Sequence, residues 1–281
     1  MSEVGATLTR ARVETRLDDL VRENRFLIAV VFPAVGAVLL LASAEGLLGP
    51  LNYNPYLILM GVLVMRLPLV AGVAPLVDRR ATVALLALAA YAYGIEYVGV
   101  STGWPYGAFE YTIDLGPMLF GKIPVGLPVF FFPLVLNSYL LCLLLLGDRA
   151  RRAAVRLPVV VAAVLAMDLV LDPAAVAIGF WEYANGGIYY DVPVSNYLGW
   201  VVSATVAVAA FDYGFDRSGL RRRVEECEFM LDDLVSFVLL WGPVNAYFGN
   251  WFPVLVAGLF GLGLVVTDRF DFDVRDSVPW R

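Results

Sequence analysis

The chain has 281 residues, 60% hydrophobic and 16% charged, with a formal net charge of −6 and a mean hydropathy of +0.75. Soluble domains carry about 25% charged residues, so a soluble globular fold is excluded, and the acidic balance gives no reason to expect a nucleic-acid partner. There is no histidine, which removes histidine acid–base chemistry and the commonest metal ligand.

The expected fold is all-α, a polytopic integral membrane helix bundle in the cell membrane. Three segments are expected: a cytoplasmic N-terminal segment over 1–25, a transmembrane domain over 26–267, and a short tail over 268–281. Residues 1–25 are polar, with five arginines and five acids. No short apolar core with a cleavage site precedes them, so no removable signal peptide is expected. Val13, Leu17, Leu20 and Val21 share a helical face, which predicts an interfacial helix or a cytoplasmic cap.

Apolar runs near the length of a bilayer crossing predict spans over 26–48, 56–77, 81–100, 124–146, 157–180 and 194–214. The last apolar region, 234–267, is too long for one ordinary span and is interrupted by WGPVNAYFGNW. Splitting it gives 234–248 and 251–267, and eight spans in all. Lysine and arginine alternate between rich and poor along the connections, with 5 in residues 1–25 and none in 49–55. That pattern puts the N-terminus in the cytoplasm. Seven spans would leave the C-terminal arginines outside. Cys142 and Cys227 form no metal motif or plausible disulfide. A single lysine, Lys122, stands against nineteen arginines. Low lysine with abundant aspartate resembles the composition of proteins from salt-loving archaea.

Five ionisable residues fall inside predicted spans: Arg66, Glu96, Asp168, Asp172 and Asp212. Such groups are costly in a membrane and pair or line polar cavities. Asp212 reads as a solvated helix end. Arg66 needs a carboxylate partner, for which Glu96 and the two aspartates are the candidates. Asp168 and Asp172 are one helical turn apart on a single face. Two neighbouring carboxylates in low dielectric cannot both ionise cheaply, so the pair holds a proton and supplies an acid and a base together. A structural reading is equally open: Asp172 capping the helix end beside Pro173, and Asp168 binding Arg66.

Two outer connections carry the remaining chemistry. Residues 101–123 hold Trp104, Tyr106, Phe109, Glu110, Tyr111 and Asp114. Residues 181–193 and the helix start that follows hold Trp181, Glu182, Tyr183, Tyr189, Tyr190, Asp191, Asn196 and Trp200. An aromatic belt accounts for many of the rings. The interleaved acids fit an apolar ligand pocket with a few polar groups. EYT followed by IPVGLP in the first connection parallels EYA followed by VPVSNY in the second. An internal repeat and chance both stay open as explanations.

The runs TGWPYGAFEYT and GKIPVGLPVFFFP, followed by MDLVLDP, GFWEY and GGIYYDVPVSNYLGW, resemble the carotenoid biosynthesis membrane proteins of archaea. The likeness extends from about Glu96 to Trp200. Tyr106 and Phe109 depart from the family pattern by exchanging one aromatic residue for another. The resemblance implies hydration of the terminal carbon–carbon double bonds of a long acyclic carotenoid, bisanhydrobacterioruberin becoming bacterioruberin. It implies the carotenoid, water and the lipid bilayer as partners, other enzymes of carotenoid biosynthesis as further partners, and no cofactor or metal.

Such a hydration needs a proton donor, a nearby carboxylate, aromatic faces for a tertiary cation and a base that orients water. The expected catalytic residues are Asp168, Asp172 and Glu96. Trp104, Tyr106, Trp181 and Tyr190 would flank the cation, Asn196 would orient water or substrate, Arg66 would tune the cluster, and Glu110 completes the substrate-binding set. Alternatives are hydration of another carotene end group, a membrane carrier with buried carboxylates, and a non-catalytic pigment-binding protein. A retinal protein needs a lysine within a helix, whereas Lys122 falls in a predicted loop.

Overall fold

The structure is a computed structural model and describes residues 9–272. Ten α-helices follow one another in chain order: α1 (Arg10–Glu23), α2 (Phe32–Ala44), α3 (Pro55–Val73), α4 (Arg79–Thr102), α5 (Leu127–Leu146), α6 (Ala153–Ala177), α7 (Val194–Gly214), α8 (Arg217–Glu226), α9 (Asp232–Tyr247) and α10 (Trp251–Val266). Four short strands join the bundle at one end: β1 (Phe109–Tyr111), β2 (Met118–Leu119), β3 (Ile123–Pro124) and β4 (Trp181–Tyr183).

Six helical segments are long and apolar enough to cross a membrane: Leu27–Ala44, Pro55–Leu76, Arg79–Thr102, Leu127–Arg151, Ala153–Ala177 and Val194–Gly214. They coincide with the first six predicted spans to within a turn or so at each end. The last apolar region divides as expected, at the turn Phe248–Asn250, into two helices of 16 residues each. Sixteen residues rise about 24 Å, so this pair is shorter than the other six. Helix α8 lies in a stretch expected to be a loop. Asp216 starts it by accepting from Ser218 N and Gly219 N, a standard N-cap.

Local chemistry sets the helix ends. Asn54 accepts from Tyr56 N and Leu57 N, and Pro55 supplies the first helical position of α3. Asp78 accepts from Ala81 N at 2.8 Å to open α4. Gly103, at φ +76°, closes it in the left-handed conformation that glycine tolerates best.

Helix α5 is the centre of the bundle. Two thirds (67%) of its most apolar stretch is buried, against 22% for α4, whose outer side is left for lipid. α1 lies against α3 and α8. Val21 is fully buried, Leu17 packs on the core, and Val13 and Leu20 stay exposed. Arg223 ties α8 to α1 through Asp18 at 2.8 Å, and Arg10 donates to Ala74 O at 2.8 Å.

Three arginine–aspartate pairs, each with one fully buried member, tie the helices together away from the strands. Arg25 forks onto Asp232 at 2.8 and 2.9 Å. Arg66 pairs with Asp233, which also accepts from Asn137. Arg156 pairs with Asp212, which accepts from Tyr139 at 2.6 Å. Two expectations are corrected here. The partner of Arg66 is Asp233, not Glu96 or the α6 aspartates, because α9 begins two residues before the predicted span and carries its first acids into the core. Asp212 is not a free solvated helix end, because α6 brings a buried arginine to it.

Candidate active site

The strand-bearing end of the bundle holds a cavity. β1 and β4 form an antiparallel pair in the register Phe109↔Tyr183, Glu110↔Glu182 and Tyr111↔Trp181. The two EY motifs therefore meet across one ladder. Because side chains alternate along a strand, both glutamates turn to solvent while the flanking aromatic residues turn together toward the bundle. Below this ribbon lies a cavity with an empty volume of about 1190 Å³, counted to its open mouth. Its wall comes from α3, α4, α5, α6, α7 and α9, and is mostly aromatic and aliphatic.

Aromatic rings form much of that wall. Phe131 of α5 and Trp200 of α7 stack, with centroids 5.5 Å apart and planes 18° from parallel. Tyr106 tilts against Trp200 at 6.3 Å, and its hydroxyl meets Ser203 Oγ at 2.6 Å. Gly199 permits this approach: a Cβ there would lie 2.4 Å from Tyr106 Cδ1. Phe180 sits edge-on to Trp241 at 6.4 Å, and Tyr111 edge-on to Trp181 at 6.4 Å.

The carboxylates of this apolar chamber converge from two helices. Glu96, on α4, accepts a hydrogen bond from the Tyr111 hydroxyl. Asp172, on α6, accepts from the Tyr183 hydroxyl at 2.9 Å and from Asn196 Nδ2 at 2.6 Å. The same Asn196 nitrogen donates to Asp168 Oδ2 at 2.8 Å, so one amide bridges both aspartates. Asp168 is fully buried and Asp172 nearly so. Asp172 and Asn196 line the cavity; Asp168 stands one turn behind, and its Oδ1 has no hydrogen-bond partner among the described residues. Burial first, and then the nearby carboxylate charge, holds the phenols of Tyr111 and Tyr183 well above the ordinary tyrosine value. Both hydroxyls therefore remain donors at any working pH.

Of the residues expected from the sequence, Glu96, Tyr106, Asp172, Trp181 and Asn196 share the cavity, with Asp168 bonded behind it. Four do not join them. Arg66, midway along α3, is held by Asp233 and donates to Val129 O at 3.2 Å, outside the cavity lining. Trp104 is 62% exposed and directed off the loop. Glu110 is exposed on the outer face of the ribbon. Tyr190 turns toward α10, its hydroxyl accepting from Phe252 N at 3.4 Å. Phe131, within an apolar span, and Trp241, at the start of the run that interrupts the last apolar region, carry no mark of lining a site. Tyr111 and Tyr183 are visible as members of aromatic-rich loops and of the parallel EYT and EYA runs. Lys122 lies in the β2–β3 turn, bonded to Ser101 Oγ at 3.0 Å, so a retinal Schiff base within a helix is ruled out.

A model of the family described as carotenoid biosynthesis protein matches residues 53–264. The chain belongs to the carotenoid biosynthesis protein family. The matched region contains every group of the cavity, from Pro55 to Trp241. Within this family, the chain is 63% identical to bisanhydrobacterioruberin hydratase of Haloarcula japonica over 270 residues, covering 96% of this chain and 92% of that protein. No solved structure matches the chain.

Proposed function

We propose that this protein is a carotenoid hydratase that adds water to the terminal double bonds of a long acyclic carotenoid, converting bisanhydrobacterioruberin to bacterioruberin. The observation that carries the reading is an aromatic-walled cavity with carboxylates entering from α4 and α6, in a chain 63% identical to a hydratase of that substrate.

The chemistry follows from the groups present. The Asp168–Asp172 pair, bridged by Asn196, holds a proton because two charges side by side in an apolar wall are costly. Asp172, the member facing the cavity, gives that proton to the less substituted alkene carbon. The electron deficiency moves to the tertiary carbon, where the ring faces of Trp200, Trp181 and Phe131 stabilise it. A water molecule attacks that carbon, its surplus proton passes to Glu96, and return of that proton through water to the aspartate pair resets the site. The sum is one water added, with no electrons gained or lost, so every step runs on water and the side chains of this chain.

Eight crossings with both described ends in the cytoplasm fit the charge pattern, with α9 and α10 as a short hairpin of spans in a multi-pass cell-membrane protein. The cavity then faces the outer leaflet. Pro55, Ile58 and Leu59 of α3 and Ile95 of α4 give it an apolar flank suited to an end group arriving from lipid. To test the reading, the purified protein in detergent is given the carotenoid without added cofactor, and products are separated by chromatography. Conversion to products carrying one and then two added waters supports it. Unchanged substrate with demonstrably folded protein contradicts it.

A further inference from the structure

The cavity is built on two matching halves. Glu96 precedes Glu110 by the same interval as Asp168 precedes Glu182, and Glu110 and Glu182 are directly paired where the ribbon's local two-fold lies. Pro124 precedes Phe131 by the same interval as Pro193 precedes Trp200, and those two rings stack face to face. The operation that takes β1 to β4 takes α4 to α6 and α5 to α7. It also exchanges two of the main helix contacts of the bundle, α4 on α7 and α5 on α6. This is the pattern of a parallel repeat about an axis along the membrane normal.

Tyr111 and Tyr183 are equivalent under that operation. Each donates its hydroxyl to a carboxylate on the helix of its own half, Tyr111 to Glu96 on α4 and Tyr183 to Asp172 on α6. The halves differ in what surrounds that bond. The carboxylates they hold are not equivalent: Glu96 matches Asp168, and the second half adds Asp172, where the first has Val100, together with the bridging Asn196, whose matching position in the first half is the apolar Leu127. The frame is repeated and its polar groups are not.

We propose that Tyr111 and Tyr183 are the matched positioning residues of an internally duplicated site, each fixing the carboxylate of its own half so that Glu96 and Asp172 address the alkene from different sides. The asymmetry then assigns the roles. The half with two aspartates stores and gives the proton, and the half with one carboxylate receives the proton of the attacking water. This rests on the hydratase reading and deepens it.

The test uses Tyr111→Phe and Tyr183→Phe in the full-length protein. Each is expected to lower kcat by about ten- to a hundredfold, the worth of a hydrogen bond to a charged group, with little change in KM. Each also displaces one limb of the bell-shaped pH profile, and the two displace different limbs. The carboxyl infrared bands, assigned with Glu96→Gln and Asp172→Asn, respond in the same way, one band to each tyrosine. Full kcat in either variant, displacement of the same limb by both, or unmoved carboxyl bands overturns the proposal. If a phenylalanine variant does not fold, incorporation of 3-fluorotyrosine replaces it: the hydroxyls stay but donate more strongly, and unmoved limbs then overturn the proposal. A wild-type protein that hydrates nothing defeats the functional reading, while the infrared arm still decides the tyrosine–carboxylate pairs.

Discussion

Asp172 is the aspartate that lines the cavity, and Asp168 stands one turn behind it, bridged to it by the amide of Asn196. This ordering sets the expected effects of substitution. Asp172→Asn and Glu96→Gln remove the donor and the base, and each is expected to lower kcat by about 10²- to 10⁴-fold, the usual range for a general acid or base. Asp168→Asn keeps the hydrogen-bonding shape and costs less than either. Product formation rates in detergent measure this, and an Asp172→Asn protein with wild-type turnover would contradict it. A second expectation concerns pH. The phenols of Tyr106, Tyr111 and Tyr183 are held above their ordinary value, chiefly by burial. Unfolded tyrosine ionises near about pH 10, and the folded phenols only above that. Their contribution to stability is thus complete below about pH 10 and is lost as pH rises from there through the folded values. Thermal unfolding should show a midpoint insensitive to these groups up to about pH 10 and falling beyond it. The aspartate pair was legible in the sequence because i, i+4 spacing alone puts both on one face. Its partner Asn196 was visible as a candidate, but the bridge it makes depends on how α7 packs against α6.

At the scale of elements, the arginine–aspartate pairs outside the cavity bear on stability rather than chemistry. Arg66 and Asp233 have side chains 13% and 0% exposed. Removing one partner strands a charge in the interior, which costs about 3–5 kcal/mol. Asp233→Asn is therefore expected to lower the unfolding temperature sharply, and the double substitution Arg66→Met, Asp233→Leu to recover much of the loss, with turnover per folded molecule retained. Thermal unfolding alongside activity checks both, and a stable Asp233→Asn protein would contradict the account. The helices themselves were readable, since each of the first six runs is as long as a bilayer is thick. The partner of Arg66 was not. Hydropathy placed the start of the ninth helix after Asp232 and Asp233, because two adjacent acids look like a loop until arginines from other helices neutralise them. The charged helix α8 was hidden for the same reason: its stability comes from a cap and from packing, not from hydropathy.

Over the whole molecule, charge and function separate along the bundle. Paired arginines and aspartates lie outside the cavity, and the aromatic chamber with its carboxylates occupies the strand-bearing end. Trp104 and Tyr190 show why the chamber's wall was only partly legible. Their loops were recognisable as site-forming, but which ring turns inward is fixed by the β1–β4 register and by contacts with α10. Phe131 shows the converse, since an aromatic residue within an apolar span carries no mark of lining a site. The central claim is that this chamber adds water through its carboxylates. It is tested most directly by turnover of an acyclic carotenoid in heavy-oxygen water, comparing the wild type with Asp172→Asn and reading the product by mass spectrometry. The account predicts a tertiary alcohol carrying the heavy oxygen in the wild type and almost none in the variant. An alcohol with unlabelled oxygen, or equal labelling by folded Asp172→Asn protein, would contradict it.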